Sequence, residues 1–306
     1  MPQSENVGVV QHSPTFSRIL NELGSGYPIR QALFTKIEAL TGRKLISYAA
    51  ILTGAPGTDI NAVDLPCLAD LVKTLGPTEP LDLLINSFGG SPDVAEKIVE
   101  LCRGNARSFR VIVPNFAKSA ATLVALGADE IVMSDTSQLG PIDPQFVHLV
   151  RPGQPVLMPA HSIIRSYEDL VERVNAQGRL LPADVPQLAN MDLAYVDLAR
   201  TAIARAESLA TTWLKRYMLA GRDQQADETV GILIGRTKYL SHGQVVNYRE
   251  ARDLLHLTVR YLDPRDELWE LLWELYVRSD MFCHQTQHAK LFENDTVSVG
   301  MRVGRA

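Results

Sequence analysis

The sequence predicts an α/β protein with a parallel sheet joined by crossover helices and extended by a helical C-terminal region. Between residues 43 and 133, short apolar runs suited to buried strands alternate with stretches whose apolar residues recur at helical intervals. Glycines punctuate the joins, as at Gly42, Gly76 and Gly89-Gly90. The length of 306 residues can bury roughly three quarters of the unfolded surface, enough for one large α/β domain with appendages.

Taken in order, residues 1–25 are polar and contain Gly and Ser, which predicts a flexible N-terminal segment. Arg30 to Leu40 reads as an amphipathic helix and Arg43 to Leu52 as a buried strand. Val63, Leu68, Leu71, Val72 and Leu75 place one helical face between Asn61 and Leu75. Strand (81–86), helix (94–102), strand (110–113), helix (119–126) and strand (130–133) follow, the pattern of right-handed βαβ crossovers. Past Pro144 the texture changes. Phe146 to Ala160 holds several prolines and predicts an irregular excursion with a short hairpin. Helices are expected over 162–174, 185–220, 228–234 and 249–255, with Asp184 and Gln187 resembling a capping box for the second. The stretch 265–282 carries Trp269, Leu272, Trp273, Leu275 and Tyr276, an aromatic helical stripe suited to core or to a subunit interface. The domain expectation is a main unit over 26–262 and a helical tail over 263–306 available for oligomer contact.

Composition excludes several function classes. A formal net charge of −5 gives no positive footprint for phosphate contacts, so nucleic acid is not an expected partner. Hydrophobic residues at 46% with charged residues at 21% rule out disordered and collagenous chains. The three cysteines, Cys67, Cys102 and Cys283, are an odd count without zinc spacing, which fits a reducing, cytoplasmic setting. No apolar run reaches about 18 residues, so no membrane segment is expected.

Two segments carry the chemistry. In Leu83-Leu84-Ile85-Asn86-Ser87-Phe88-Gly89-Gly90-Ser91 a strand stops at a Gly-Gly pair and restarts as a helix, so backbone N–H groups of Gly90 and Ser91 are candidates to receive developing negative charge. Gly89 lets a substrate backbone lie close. In Ala117-Lys118-Ser119-Ala120-Ala121-Thr122 a serine opens an apolar helix, where the helix dipole favours negative charge and small neighbours leave room for a carbonyl. A serine hydroxyl needs both a base and oxyanion donors to act as a nucleophile. Read alone, Ser119 also fits a helix N-cap with no chemistry.

The Ile85–Ser91 run resembles the glycine-rich turn of ClpP-type serine proteases, members of the wider ClpP/crotonase-like superfamily. The run from Ala117 to Asp129 resembles their nucleophile helix. Together with Leu139-Gly140-Pro141-Ile142-Asp143-Pro144-Gln145 and Ser241-His242-Gly243, it is similar to the serine dehydrogenase proteinase family, a ClpP-class branch, over roughly residues 30 to 262. The resemblance implies hydrolysis of peptide or unfolded protein substrates through an acyl-enzyme, no cofactor, and assembly into a homo-oligomer. ClpP carries a histidine in the segment that is Ser134 to Gln145 here, and this sequence has none. The closer family implies Ser119, Asp143 and His242 in that chain order, with Gly90 and Ser91 as the oxyanion hole. Triads recur in several chain orders.

Alternatives stay open from the residues themselves. Asp143 between Ile142 and Pro144 also suits a self-closed turn, and His242 also suits an ordinary loop histidine. Lys118 is a rival base in a Ser-Lys dyad, or a substrate-binding group, although neighbours at a helix start diverge in direction. Two further functions share the fold: a crotonase-like acyl-CoA enzyme and an inactive scaffold protein. Cys283-His284 with His288 offers two imidazoles at helical spacing but no evident third ligand, so no metal is expected. Gly231-Ile232-Leu233-Ile234-Gly235 reads as helix and cap rather than a phosphate loop.

Overall fold

Alternating strands and helices put the carboxyl ends of parallel strands at one edge of a seven-stranded sheet, and the site is built there. The computed structural model describes residues 19, 26–51, 57–76, 79–151, 154–189, 191–235, 238–239 and 241–303. In chain order, α1 (Tyr27–Thr41), β1 (Lys44–Ala50), α2 (Asp64–Lys73), β2 (Pro80–Asn86), α3 (Pro92–Asn105) and β3 (Ser108–Ile112) come first. β4 (Phe116–Ala117), α4 (Ala120–Leu126), β5 (Glu130–Met133) and β6 (Gln138–Leu139) complete the alternating part. A hairpin of β7 (Gln145–Arg151) and β8 (Gln154–Pro159) then leads to α5 (Ala160–Gln177), α6 (Val185–Ala189), α7 (Leu193–Arg216) and α8 (Asp223–Ile234). A π-helical turn (Glu250–Leu254), β9 (Val259–Tyr261), α9 (Glu267–Thr286), β10 (His288–Glu293) and β11 (Ser298–Arg302) end the order.

The central sheet runs β11-β10-β1-β2-β3-β5-β9. β1, β2, β3, β5 and β9 are parallel, as the alternation predicts, while β10 and β11 add to the β1 edge in antiparallel fashion. Because side chains alternate across a strand, each parallel strand feeds two cores. Ile46, Leu83, Val111 and Ile131 face the core under α2, α3, α4, α7 and α8. Leu45, Leu84, Ile112 and Val132 face α1 and α9. Among the described residues no helix is long and apolar enough to cross a membrane.

Four expectations change. Residues 288–302 are not part of a helical tail but form β10 and β11, and Trp269, Leu272 and Leu275 of α9 pack against Leu33, Phe34 and Ile37 of α1 within the chain. The helix expected over 185–220 is split: Asp192 caps α7 by accepting from Ala194 N–H. Asp184 builds no capping box, since its carboxylate accepts from Leu181 N–H and faces Arg173 at 3.6 Å. β9 escaped the sequence reading because three residues carry too little periodicity. Of the N-terminal segment 1–25, all but Ile19 lies outside the described residues.

Candidate active site

The chain leaves β4, turns at Ser119 and enters α4. Ser119 has φ 52° and ψ −118°, a conformation uncommon for a residue with a Cβ. Hydrogen bonds on both sides hold it there: Lys118 N–H to Ser87 O at 3.0 Å, Ala121 N–H to Lys118 O at 2.9 Å, and Leu123 N–H to Ser119 O at 3.0 Å. This strand–turn–helix is the geometry of a nucleophile elbow, which lifts the hydroxyl away from its own helix. The Ser119 side chain makes no capping bond to α4, so the N-cap reading does not account for it. Gly89 (φ +101°) lies against this turn so closely that a Cβ there would be 2.6 Å from Lys118 O and 2.7 Å from Ser119 Cβ. No other residue type fits without moving the elbow.

The glycine turn decides which amides are free. Ile60 bridges to it in parallel fashion, with Ile60 N–H donating to Gly89 O at 2.7 Å and Ser91 N–H donating to Ile60 O at 2.8 Å. Residues on either side of the bridge are thereby engaged, and the N–H of Gly90 itself points the other way. The expectation that Ser91 lends its amide to an oxyanion is therefore corrected: that amide is committed to Ile60, and the Ser91 hydroxyl caps α3 through Val94 N–H. The second unengaged amide is Ala120, first in α4, whose N–H has no carbonyl four residues back to bond. Among the described residues neither Gly90 N–H nor Ala120 N–H has a hydrogen-bond partner. A cavity of about 240 Å³ opens at this point, lined by Gly90, Ser119, Ala120 and His242, with apolar walls from Leu123 and Leu157.

Asp143 and His242, 99 residues apart, meet at this cavity. His242 Nδ1 and Asp143 Oδ1 are 2.8 Å apart, with Asp143 almost fully buried and His242 about one-fifth exposed. A carboxylate accepts, so Nδ1 donates, and in the neutral ring Nε2 is then the acceptor. Asp143 arrives on a strap fixed by Ile142 N–H to Leu233 O at 3.0 Å, and His242 on a loop fixed by paired bonds between Leu139 and Val246 at 2.9 and 3.0 Å. The carboxylate thus orients an imidazole rather than closing a turn on itself. Among the described residues no hydrogen bond joins Ser119 Oγ to His242.

The family described as ClpP-like SDH-type serine proteinase matches residues 71–286. The chain belongs to this family. Two uncharacterized proteins of Methanocaldococcus jannaschii are 33% identical over 185 residues (60% of this chain, 54% of the relative) and 32% identical over 198 residues (64% and 57%). The chain spans little more than half the length of these relatives. Among solved structures it is similar to a membrane-bound stomatin-specific protease in two alanine-mutant forms, one of them with a substrate peptide. The first has a TM-score of 0.40 at 16% identity, covering 71% of this chain and 79% of that one. The second, the peptide complex, has a TM-score of 0.38 at 14% identity, covering 80% and 84%.

Within this SDH-type proteinase fold, no hydrogen bond among the described residues joins Ser119 to Lys118 Nζ. Its Nζ donates to Leu139 O at 2.8 Å and to Gln244 O at 3.2 Å, and the residue is almost completely buried. Burial pulls its amine down to about 8 from the usual 10.5. Asp143 Oδ2 is buried with no partner among the described residues. Cys283 packs with Ile51 and Leu291, His284 faces Asp280, and His288 meets Thr286, so these three do not converge. His161 bonds Ile234 O. The sequence reading did not single out Ala120, whose unengaged amide adjoins Ser119; its signal was its position directly after that serine.

Proposed function

We propose that this chain is a serine endopeptidase that cleaves peptide or unfolded protein substrates through an acyl-enzyme on Ser119. The observation that carries this reading is the 2.8 Å contact of His242 with Asp143 at the cavity that Ser119 also lines. His242 Nε2 takes the Ser119 proton as Oγ attacks the scissile carbonyl carbon. The oxyanion accepts from Gly90 and Ala120 N–H groups, which are already oriented and so cost no reorganisation. His242 then gives its proton to the leaving amine, and water repeats the sequence on the acyl-enzyme. Asp143 keeps the imidazole in one tautomer and stabilises its charged form. Contacts between nucleophile and base commonly tighten only when substrate is bound.

An acyl-CoA enzyme would use the two amides but has no need of the hydroxyl, imidazole and carboxylate gathered beside them. A scaffold would need none of these groups. Three unpaired cysteines support a reducing, cytoplasmic setting. Exposed Val147, Leu157, Val185, Leu188 and Leu193, all between residues 147 and 193, support assembly into a homo-oligomer through this region. A fluorophosphonate should label the folded wild type and leave Ser119→Ala unlabelled. Absence of label on well-folded wild type would overturn the proposal.

A further inference from the structure

We infer that Lys118 is a positioning residue, tying the nucleophile turn to both the strap that carries Asp143 and the loop that carries His242. This rests on the peptidase reading above. The three groups come from three separate places in the chain, and nothing covalent near the site sets their spacing. The strap and the loop are joined to each other by the Leu139–Val246 pair. The β4–β6 pairing sets Ala117 beside Leu139, and the side chain next to Ser119 extends that register to the loop as well: one Nζ donates to Leu139 O, four residues before Asp143, and to Gln244 O, two residues after His242.

The surroundings are shaped around this side chain. A Cβ at Gly140 would lie 2.7 Å from Lys118 Cδ, so the strap carries glycine where the stem passes. Gly140 N–H donates to Thr122 Oγ1, which in turn donates to Ala117 O, so the strap is also fastened to the start of α4. An ammonium has three donors and no acceptor. Two carbonyls take two of them, and the Phe116 ring lies 6.0 Å from Nζ. Among the described residues both bonds of Nζ go to these carbonyls and none to Ser119 Oγ, an arrangement that suits a tie. Methionine would fill the same channel and make neither bond.

The test compares wild type, Lys118→Met, Gly140→Ala and Ser119→Ala by fluorophosphonate labelling, peptide hydrolysis and amide hydrogen exchange. Lys118→Met is expected to lose about 10- to 100-fold in kcat with KM held within about threefold, since a displaced base harms the transition state more than substrate binding. Exchange at Leu139 and Val246 is expected to quicken at least about tenfold while β2 and β3 amides stay protected. Gly140→Ala, which displaces the stem but keeps the ammonium, should show the same split to a smaller extent and serves if the methionine variant does not fold. Unchanged kcat and exchange in both variants would overturn the tie. Lys118→Met as inactive as Ser119→Ala, with exchange unchanged, would overturn it too and make Lys118 the base. A wild type that takes no label sinks the peptidase reading alone, because the exchange measurement still decides whether Lys118 holds the two segments.

Discussion

Two buried lysines brace the two halves of this site, and they do so by different physics. Lys290 on β10 donates to Asp64 Oδ1 at 2.5 Å with both side chains fully buried, and Asp64 Oδ2 accepts from Tyr48 Oη and Asn61 N–H, each at 3.0 Å. Asn61 follows Ile60, which holds the Gly89–Ser91 turn. The glycine-turn side is thus braced by a neutralised pair whose carboxylate is bonded at both oxygens. Among the described residues Lys118 meets carbonyls and no carboxylate. Its charge is tolerated uncompensated, and burial lowers its affinity for the proton. The first lysine is neutralised by a carboxylate, and the second is held by carbonyl dipoles alone.

The sharpest way to break this contrast is on the loosely braced side. Asp143→Asn should keep the fold and lower kcat by about 10³- to 10⁴-fold, roughly 4–5 kcal/mol of barrier, because an amide holds the wrong tautomer of His242. Steady-state hydrolysis measures it, and a loss below tenfold would remove Asp143 from the triad. On the neutralised side the effect moves from rate to stability. Lys290→Met leaves the Asp64 carboxylate buried without its partner, at a cost of about 3–5 kcal/mol in denaturant unfolding, and Lys290→Met with Asp64→Leu should recover most of it. Gly89→Ala falls between the two regions. A methyl 2.6 Å from Lys118 O at φ +101° should cost about 2–3 kcal/mol and slow labelling of Ser119, read by melting and by probe kinetics.

The same contrast explains what the sequence could reveal. Ser119 and Gly89-Gly90 were legible because an elbow and a close backbone approach demand particular residues at adjacent positions. Ser91 was misassigned because its amide is claimed by Ile60, some 30 residues upstream in a segment with no regular structure, and no local pattern announces that bridge. Ala120 went unread for the converse reason: any residue supplies an N–H. β10 and β11 were hidden since Lys290 and Glu293 break the apolar run, and only the structure shows both charges paired, with Asp64 and with Arg30. The direction of Lys118 depends on where two distant carbonyls arrive, which spacing cannot give.

The smallest effect separates the lysines most cleanly. The Lys118 amine sits near 8 when folded and at about 10.5 when unfolded, so between those values the unfolded chain binds more protons and stability rises with pH. Below pH 8 both states are charged and the full cost of burying the ammonium is present. Above 10.5 both are neutral and it vanishes. The shift corresponds to about 3 kcal/mol, and with solvent screening of the amine wild type should gain on Lys118→Met by on the order of 1–2 kcal/mol across that window; near neutrality the methionine variant should be at least as stable as wild type although slower. Denaturant unfolding of both proteins at pH 7.5, 9 and 10.5 measures the difference. A difference that stays flat would mean that Lys118 is hydrated, and the distinction between the two lysines would then rest on their hydrogen-bond partners alone.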